Sequence, residues 1–313
     1  MRSIASTLIS LLLLAATAQG VEVYSLGSGE GLRDVVIGAD GKLRLFTTTN
    51  FNPTSEVVLG SDGRFWFGTA TGVSALDMNG KVTTFATGRA VPSVAAAPYG
   101  GVWYTRTTPR IGYVDARGDS SERIAPTATP YDIAVAADGT VWLTQMYAAN
   151  AVFRLSASGD VTTLQLPVRC FGGRIAAAAD ATVWITSPES STVLHLDAGG
   201  RLLELVDVPN DVDWTVRPLL AADGALWLGQ RNAVLRIVGG VTTRYPMSAP
   251  SFCSKAFYRY VPRAQAADGA LWISRELVST QSCTAEPGPE EARTLVMSIN
   301  ADRPLRRRSL LTR

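Results

Sequence analysis

The chain has 313 residues, 46% of them hydrophobic and 18% charged, too apolar for a disordered protein and ample for a large core. Its 29 basic and 27 acidic side chains leave a formal charge of +2, which gives no electrostatic footprint for nucleic acid. A single histidine, His195, excludes a two-histidine metal site, an HExxH helix and a histidine dyad within one chain.

At the N-terminus, Arg2 precedes the apolar run Leu8 to Leu14 and the small-x-small triplet Ala16-Thr17-Ala18. That order reads as a secretory signal over residues 1–20, cut after Ala18 or Gly20. No cysteine follows the cut, which argues against a lipid anchor, and no later run reaches the ~20 apolar residues that span a bilayer. The expected product is one exported domain over residues 21–313, secreted or periplasmic, with no membrane span. Cys170, Cys253 and Cys283 remain. Export permits a disulfide, and an odd count leaves one thiol over.

The mature chain repeats. Val58 to Trp66, Ile133 to Trp142, Ile175 to Trp184, Leu219 to Trp227 and Ala264 to Trp272 are copies of one pattern, and Val94 to Trp103 is a weaker one. Four residues before these tryptophans stand Asp62, Tyr99, Asp138, Asp180, Asp223 and Asp268. A second apolar stretch, a small turn and a third stretch follow, as in Val73 to Asp77, Met78-Asn79-Gly80 and Val82 to Phe85. Short β-branched runs punctuated by Asp-Gly or Asn-Gly are hairpin signals, and no helical period is sustained. Each unit therefore holds four short strands, A to D, and an array of such sheets is an all-β fold, a β-propeller of four-stranded blades. The tryptophans fill the layers between blades and the Asp-Gly pairs make tight turns. Val35 to Arg44 matches the same pattern with Arg44 in place of the tryptophan. It is either a shortened seventh blade or a hairpin closing a six-bladed ring, and the chain length favours seven. Leu305 to Leu310 reads as strand D of the last blade.

This unit resembles the repeat of the streptogramin B lyase (virginiamycin B lyase) family over most of residues 33–313, Pro130 to Leu166 being the best copy. The resemblance implies a seven-bladed propeller. It also implies an activity, the opening of a cyclic depsipeptide by elimination with Mg²⁺, a catalytic histidine and nearby glutamates. The family tends to place Glu three residues after the tryptophan. Here those places hold Thr69, Arg106, Gln145, Ser187, Gln230 and Arg275, none of them a carboxylate. No catalytic residue is carried over.

Short A-to-B and C-to-D turns fall on one face, and the variable B-to-C and D-to-A segments on the other, among them Pro167 to Arg174, Val208 to Arg217, Ser248 to Arg263 and Arg275 to Ala292. Binding groups concentrate on variable loops held by a rigid scaffold. Where strand A enters the central channel, a first ring carries Asp34, Glu56, Ser93, Asp132, Arg174, Arg217 and Pro262 with Arg263. It is acidic in the early blades and basic in the late ones, and the charges either polarise the mouth or pair across it. A second ring is the Trp-plus-three set, rich in donors suited to carboxylates, amides and sugar hydroxyls. Aromatic side chains add contact area: Tyr131, Phe171, Trp214, Phe252, Phe257, Tyr258 and Tyr260. Cys253 and Cys283 belong to neighbouring loops and are expected to pair, leaving Cys170 free; the alternative is a pairing of Cys170 with either of them, since a propeller face is compact. His195 falls on a strand C well out from the channel and reads as a solvated strand residue. Arg303, Arg306, Arg307, Arg308 and Arg313 protect an edge strand.

The expected function is a monomeric, non-catalytic exported propeller that needs no cofactor. It binds a small polar or anionic ligand, or an envelope protein, through Arg106, Tyr131, Asp132, Gln145, Arg174, Trp214, Arg217, Gln230, Arg263 and Arg275. The alternative is a Mg²⁺-dependent lyase or lactonase built on Asp34, Glu56, Asp132 and Glu276.

Overall fold

The computed structural model of the chain describes residues 23–25, 32–47, 53–127, 129–147, 150–278, 283, 287 and 295–299. The proposed signal segment 1–20, Leu305 to Leu310 and the C-terminal arginines lie outside these residues. Strand β1 (Val23–Ser25) is followed by a hairpin of β2 (Leu32–Ile37) and β3 (Leu43–Thr47). Blades of four antiparallel strands come next. The first is β4 (Val58–Leu59), β5 (Phe65–Gly68), β6 (Gly72–Leu76) and β7 (Val82–Ala86). The second is β8 (Val94–Ala96), β9 (Val102–Thr105), β10 (Arg110–Val114) and β11 (Ser120–Ile124). Then come β12 (Pro130–Val135), β13 (Val141–Gln145), β14 (Ala151–Leu155) and β15 (Val161–Gln165). They are followed by β16 (Ile175–Ala177), β17 (Val183–Ser187), β18 (Thr192–Leu196) and β19 (Leu202–Asp207). The fifth blade is β20 (Leu219–Leu220), β21 (Leu226–Arg231), β22 (Ala233–Val238) and β23 (Val241–Pro246). The last strands are β24 (Phe257–Gln265), β25 (Leu271–Val278) and β26 (Leu295–Ile299). The architecture is a β-propeller, and no helix occurs among the described residues.

The chain ends meet in one sheet. β26 pairs with β25 on one side and with β1 on the other, with Tyr24 opposite Val296. The place expected for Leu305 to Leu310 is thus held by the N-terminal strand, which ties the start of the chain to the last blade. The inner strands lie against one another in the order β2, β4, β8, β12, β16, β20, β24, and β24 in turn lies against β2.

A sheet of this kind has two apolar faces, and each must be covered by a neighbour. Trp142, Val152 and Leu166 pack on Ile175, Val183, Ile185 and Leu194 of the following blade. The hairpin does the same with two strands. Alternation puts Val35, Ile37, Leu43 and Leu45 against Ala264 and Trp272, and Val36 and Phe46 against Val57, Phe65 and Phe67.

The Asp-Gly turns share an aspartate that accepts the backbone N–H two residues on, and the first four-stranded blade adds a bond to the indole. The Asp62 carboxylate accepts the Arg64 backbone N–H (3.1 Å) and the Trp66 indole N–H (3.1 Å), while Gly63 takes a φ of 77° that an L side chain resists. In the weaker copy the Tyr99 hydroxyl accepts the Trp103 indole N–H at 2.7 Å. In the hairpin Arg44 replaces tryptophan and binds Asp40 through both terminal nitrogens, at 2.7 and 2.9 Å. One unit lacks the glycine. Ala181 follows Asp180 and is held at φ 66°, with Thr182 N–H bound to Asp180 at 3.0 Å. The left-handed conformation costs a residue with a Cβ roughly 1–2 kcal/mol, and glycine recovers this less about 0.4–1 kcal/mol of unfolded-state entropy. Ala181→Gly should raise unfolding stability by about 0.5–1 kcal/mol in a urea titration, and a loss of stability would refute this reading of the turn.

Candidate functional site

Irregularities in the inner strands shape the channel mouth. The register of β12 on β13 shifts between Pro130 and Ile133, that of β24 on β25 between Pro262 and Ala264, and that of β2 on β3 between Leu32 and Asp34. Such bulges re-aim side chains, and proline is tolerated there because an inner edge strand needs no N–H on its open side. Tyr131, Asp132 and Arg263 lie within these bulges, and Asp34 closes one.

Arg217 dominates the mouth. From the segment entering β20 its guanidinium crosses the channel and donates to both carboxylate oxygens of Asp132, to Ser93 Oγ (3.0 Å) and to the Ile133 carbonyl (3.1 Å). Its backbone N–H donates to Glu56 Oε1 at 2.9 Å, and its Nε lies 3.4 Å from Glu56 Oε2. Asp132 has no exposed surface and also accepts from Ser93 Oγ (2.6 Å) and Ile175 N–H (3.0 Å). Burial pushes its carboxyl upward, but Arg217 and Arg174 outweigh that and hold it below the usual range. Arg174 caps the Tyr131 ring at 4.6 Å and donates to the Thr215 carbonyl (2.7 Å). The first-ring charges therefore pair across the channel.

Asp34 differs. It is buried and accepts the N–H groups of Val35 (2.8 Å) and Val57 (2.7 Å), and Arg263 stands 3.8 Å away. Burial, with Arg263 opposing and Glu56 reinforcing, pushes its carboxyl up to about 6. Arg263 also reaches Ser274 Oγ (3.0 Å) and Glu276 (3.3 Å), and Arg259 joins Glu276 to Asp213. Each candidate carboxylate thus has an arginine beside it, and no group of three His, Cys, Asp or Glu among the described residues converges as a metal site would require.

The Trp-plus-three residues point elsewhere. Arg106 is buried against Glu122 and the Thr87 carbonyl. Gln145 accepts from Thr127 Oγ1 at 2.6 Å, and Gln230 donates to Asp211 and accepts from Arg244 at 2.9 Å. Arg275 is buried over the Tyr258 ring at 4.2 Å. These four stand inside their blades and do not form a rim with Arg217. Trp214 is half-buried against the Val206–Leu228 layer, and Tyr258 and Tyr260 are buried in β24.

The sequence reading named Phe171, Tyr131 and Arg174 but missed Tyr147, and it took His195 for a solvated strand residue. Tyr147 and Phe171 are 62% and 40% exposed, with ring centroids 5.9 Å apart, and sit beside Met146, Gly172 and the Arg174–Tyr131 stack. His195 is not simply solvated. It pairs in register with Trp184, and the rings stack at 4.0 Å. Thr182 Oγ1 lies 2.9 Å from its Nε2, and burial lowers its pKa despite Glu204 and Asp180. Tyr113, Arg154, Ala75 and Arg236 hold the equivalent place opposite their own tryptophans. The disulfide joins Cys253 to Cys283 with Cα atoms 5.8 Å apart, and the remaining thiol, Cys170, is buried and pushed up to about 11 by that burial.

The four-stranded blades and inner channel define a β-propeller with its charged residues drawn to the axis. Residues 44–275 match the model of the Virginiamycin B lyase family, and the chain belongs to that family. A curated relative, virginiamycin B lyase of Nocardia farcinica, is 32% identical over 199 residues, 61% of this chain and 68% of that protein. Two solved structures share the fold at 18% identity. A streptogramin B lyase has a TM-score of 0.56 and covers 90% of this chain and 98% of its own. A catalytically inactive His-to-Ala variant of virginiamycin B lyase from Staphylococcus aureus, solved with quinupristin, has a TM-score of 0.64 and covers 89% and 99%.

Removing Arg217 leaves Asp132 buried beside the more distant Arg174. Arg217→Met should cost about 3–5 kcal/mol of stability, and adding Asp132→Asn should recover part of that loss in the double variant. Chemical denaturation of both proteins checks it, and equal stability of Arg217→Met and the unsubstituted chain would refute the role. Asp34 titrates in the opposite sense to a paired carboxylate. Its raised folded pKa makes its contribution complete below about pH 4 and lost as pH rises through about 6. Relative to Asp34→Asn, the unsubstituted protein should therefore lose about 2–3 kcal/mol between pH 4 and 7. A pH-independent difference would contradict this.

Proposed function

We propose that this chain is an exported binding propeller without lyase chemistry, which takes a small polar or anionic ligand on its loop face. The observation that carries the reading is Arg217. Its guanidinium and backbone N–H already occupy Asp132 and Glu56, two carboxylates of the inner ring. Those oxygens make a poor seat for Mg²⁺, which wants uncompensated anionic oxygen ligands. The one imidazole lies on β18 against Trp184, away from that mouth. A proton-transfer group must reach its substrate, and His195 does not line the channel.

The contact surface proposed is Tyr147, Phe171 and Arg174 over Tyr131. Exposed aromatic rings beside an arginine suit a flat ring bearing a carboxylate or another hydrogen-bond acceptor. The ring is read as seven blade positions, with β2–β3 as a shortened first blade. The unbroken order of inner strands from β2 to β24 and back supports that count. Export is supported by the pattern of residues 1–20 and by the Cys253–Cys283 bridge, since disulfides persist in oxidising compartments. Family membership favours the lyase as the second reading.

The two are separated by one pair of assays on the mature protein. With Mg²⁺ and quinupristin no ring opening is expected. In calorimetry, 4-hydroxybenzoate should bind saturably, with affinity about tenfold lower in Tyr147→Ala and Phe171→Ala. Mg²⁺-dependent turnover abolished by Asp132→Ala would establish the lyase instead.

A further inference from the structure

A cavity of about 560 Å³ lies inside the ring, between β2, β4, β16, β20 and β24. Its mouth is on the face of the Asp-Gly turns. Ala179 and Ala222 line it there, both exposed, each directly before a turn aspartate. Its inner end carries Asp34, Glu56, Arg217 and Arg263, and its walls include Val58 and Leu219. That volume matches a small-molecule site.

The charges at the inner end are unevenly spent. The Arg217 guanidinium is drawn to the far side of the channel, where Ser93, Asp132 and the carbonyls of Val94 and Ile133 hold it. Arg263 is divided between Asp34, Ser274 and Glu276. Glu56 is engaged by the Arg217 backbone N–H and Nε, so Asp34, with Arg263 only at 3.8 Å, is the carboxylate left with the weaker cation. Asp34 is buried, and the groups facing it are Glu56, Arg217 and Arg263. Its carboxyl is still pushed up to about 6, so its charge is under-compensated even with Arg263 alongside.

We propose that this cavity binds small organic ammonium ions with an apolar body, admitted from the turn face, the ammonium against Asp34 and the apolar part along Val58 and Leu219. An ammonium supplies the missing cation and up to three hydrogen-bond donors, while the apolar walls exclude water from the contact. The arginines at that end are already engaged, Arg217 by Asp132 and Ser93 and Arg263 by Ser274 and Glu276, so an anion gains less there than a cation beside Asp34. This site is separate from the loop-face surface proposed above and does not depend on it.

The test uses n-hexylammonium, n-hexanol and hexanoate as probes of the mature protein by calorimetry at pH 7.5. Hexylammonium should bind saturably with Kd on the order of 1 mM, and the alcohol and the acid at least roughly tenfold more weakly. Lowering the pH to 5 should weaken hexylammonium about tenfold, as Asp34 takes up a proton. Ala222→Trp and Ala179→Trp fill the mouth at exposed positions, and each should abolish binding. Tyr147→Ala, on the opposite face, should leave it unchanged. Hexanoate or hexanol binding as tightly as the amine, no saturable binding of the amine, or full binding in both tryptophan variants would overturn the proposal.

Discussion

A blade of short strands has no stable existence with either face in water, and this constraint organises the whole molecule. Each sheet is covered on both faces by its neighbours, so the array is self-consistent only when the last sheet meets the first. The hairpin β2–β3 carries that burden with two strands. Its alternating residues serve both neighbours, Val35 and Ile37 on one side, Val36 and Phe46 on the other. β1 then fastens the start of the chain to β26, so opening the wheel means losing a strand pairing as well as an apolar layer.

Closure creates an axis where inner strand edges and buried charged side chains converge. In such a place an unpaired charge is costly, and a pair is tolerated only when its remaining hydrogen bonds are met. Arg217 meets this condition by reaching from one side of the ring to the other. It satisfies Asp132 and Ser93 and fixes Glu56 through its own backbone. The acidic residues of the early blades and the basic residues of the late ones are thus opposite partners. Asp34 has two backbone N–H donors and Arg263 at 3.8 Å, and burial still raises its carboxyl.

Much of the wheel was legible in the sequence because its causes are local. An aspartate that accepts the N–H two residues on, a glycine at positive φ and a tryptophan four places later recur wherever the backbone makes the same turn. The Cys253–Cys283 pairing was legible too, since the repeat order makes those loops neighbours. The second ring was misplaced for a geometric reason. Side chains alternate along a strand, so a residue three after the tryptophan faces the opposite blade boundary and not the axis. Arg106, Gln145, Gln230 and Arg275 are buried accordingly. His195 followed the complementary rule: its register partner is Trp184, so it covers an indole as Tyr113 does beside Trp103. The bulges that turn Asp132 and Arg263 inward carry only the faint marks of Pro130 and Pro262, and nothing local foretells which arginine will cross the channel.

The same wheel can hold quite different axial chemistry, because its turns and tryptophan layers fix the backbone without reference to the inner side chains. Carboxylates gathered at an axis to hold a cation repel one another whenever that cation leaves. A chain that supplies its own cation on a side chain has no such dependence, but the carboxylate oxygens are then permanently taken. Arg217 puts this protein in the second situation, with Asp132 and Glu56 engaged by a residue that does not deprotonate. The lone imidazole lies in an outer layer, stacked on Trp184. What the axis keeps is a fixed pattern of charge above an open cavity.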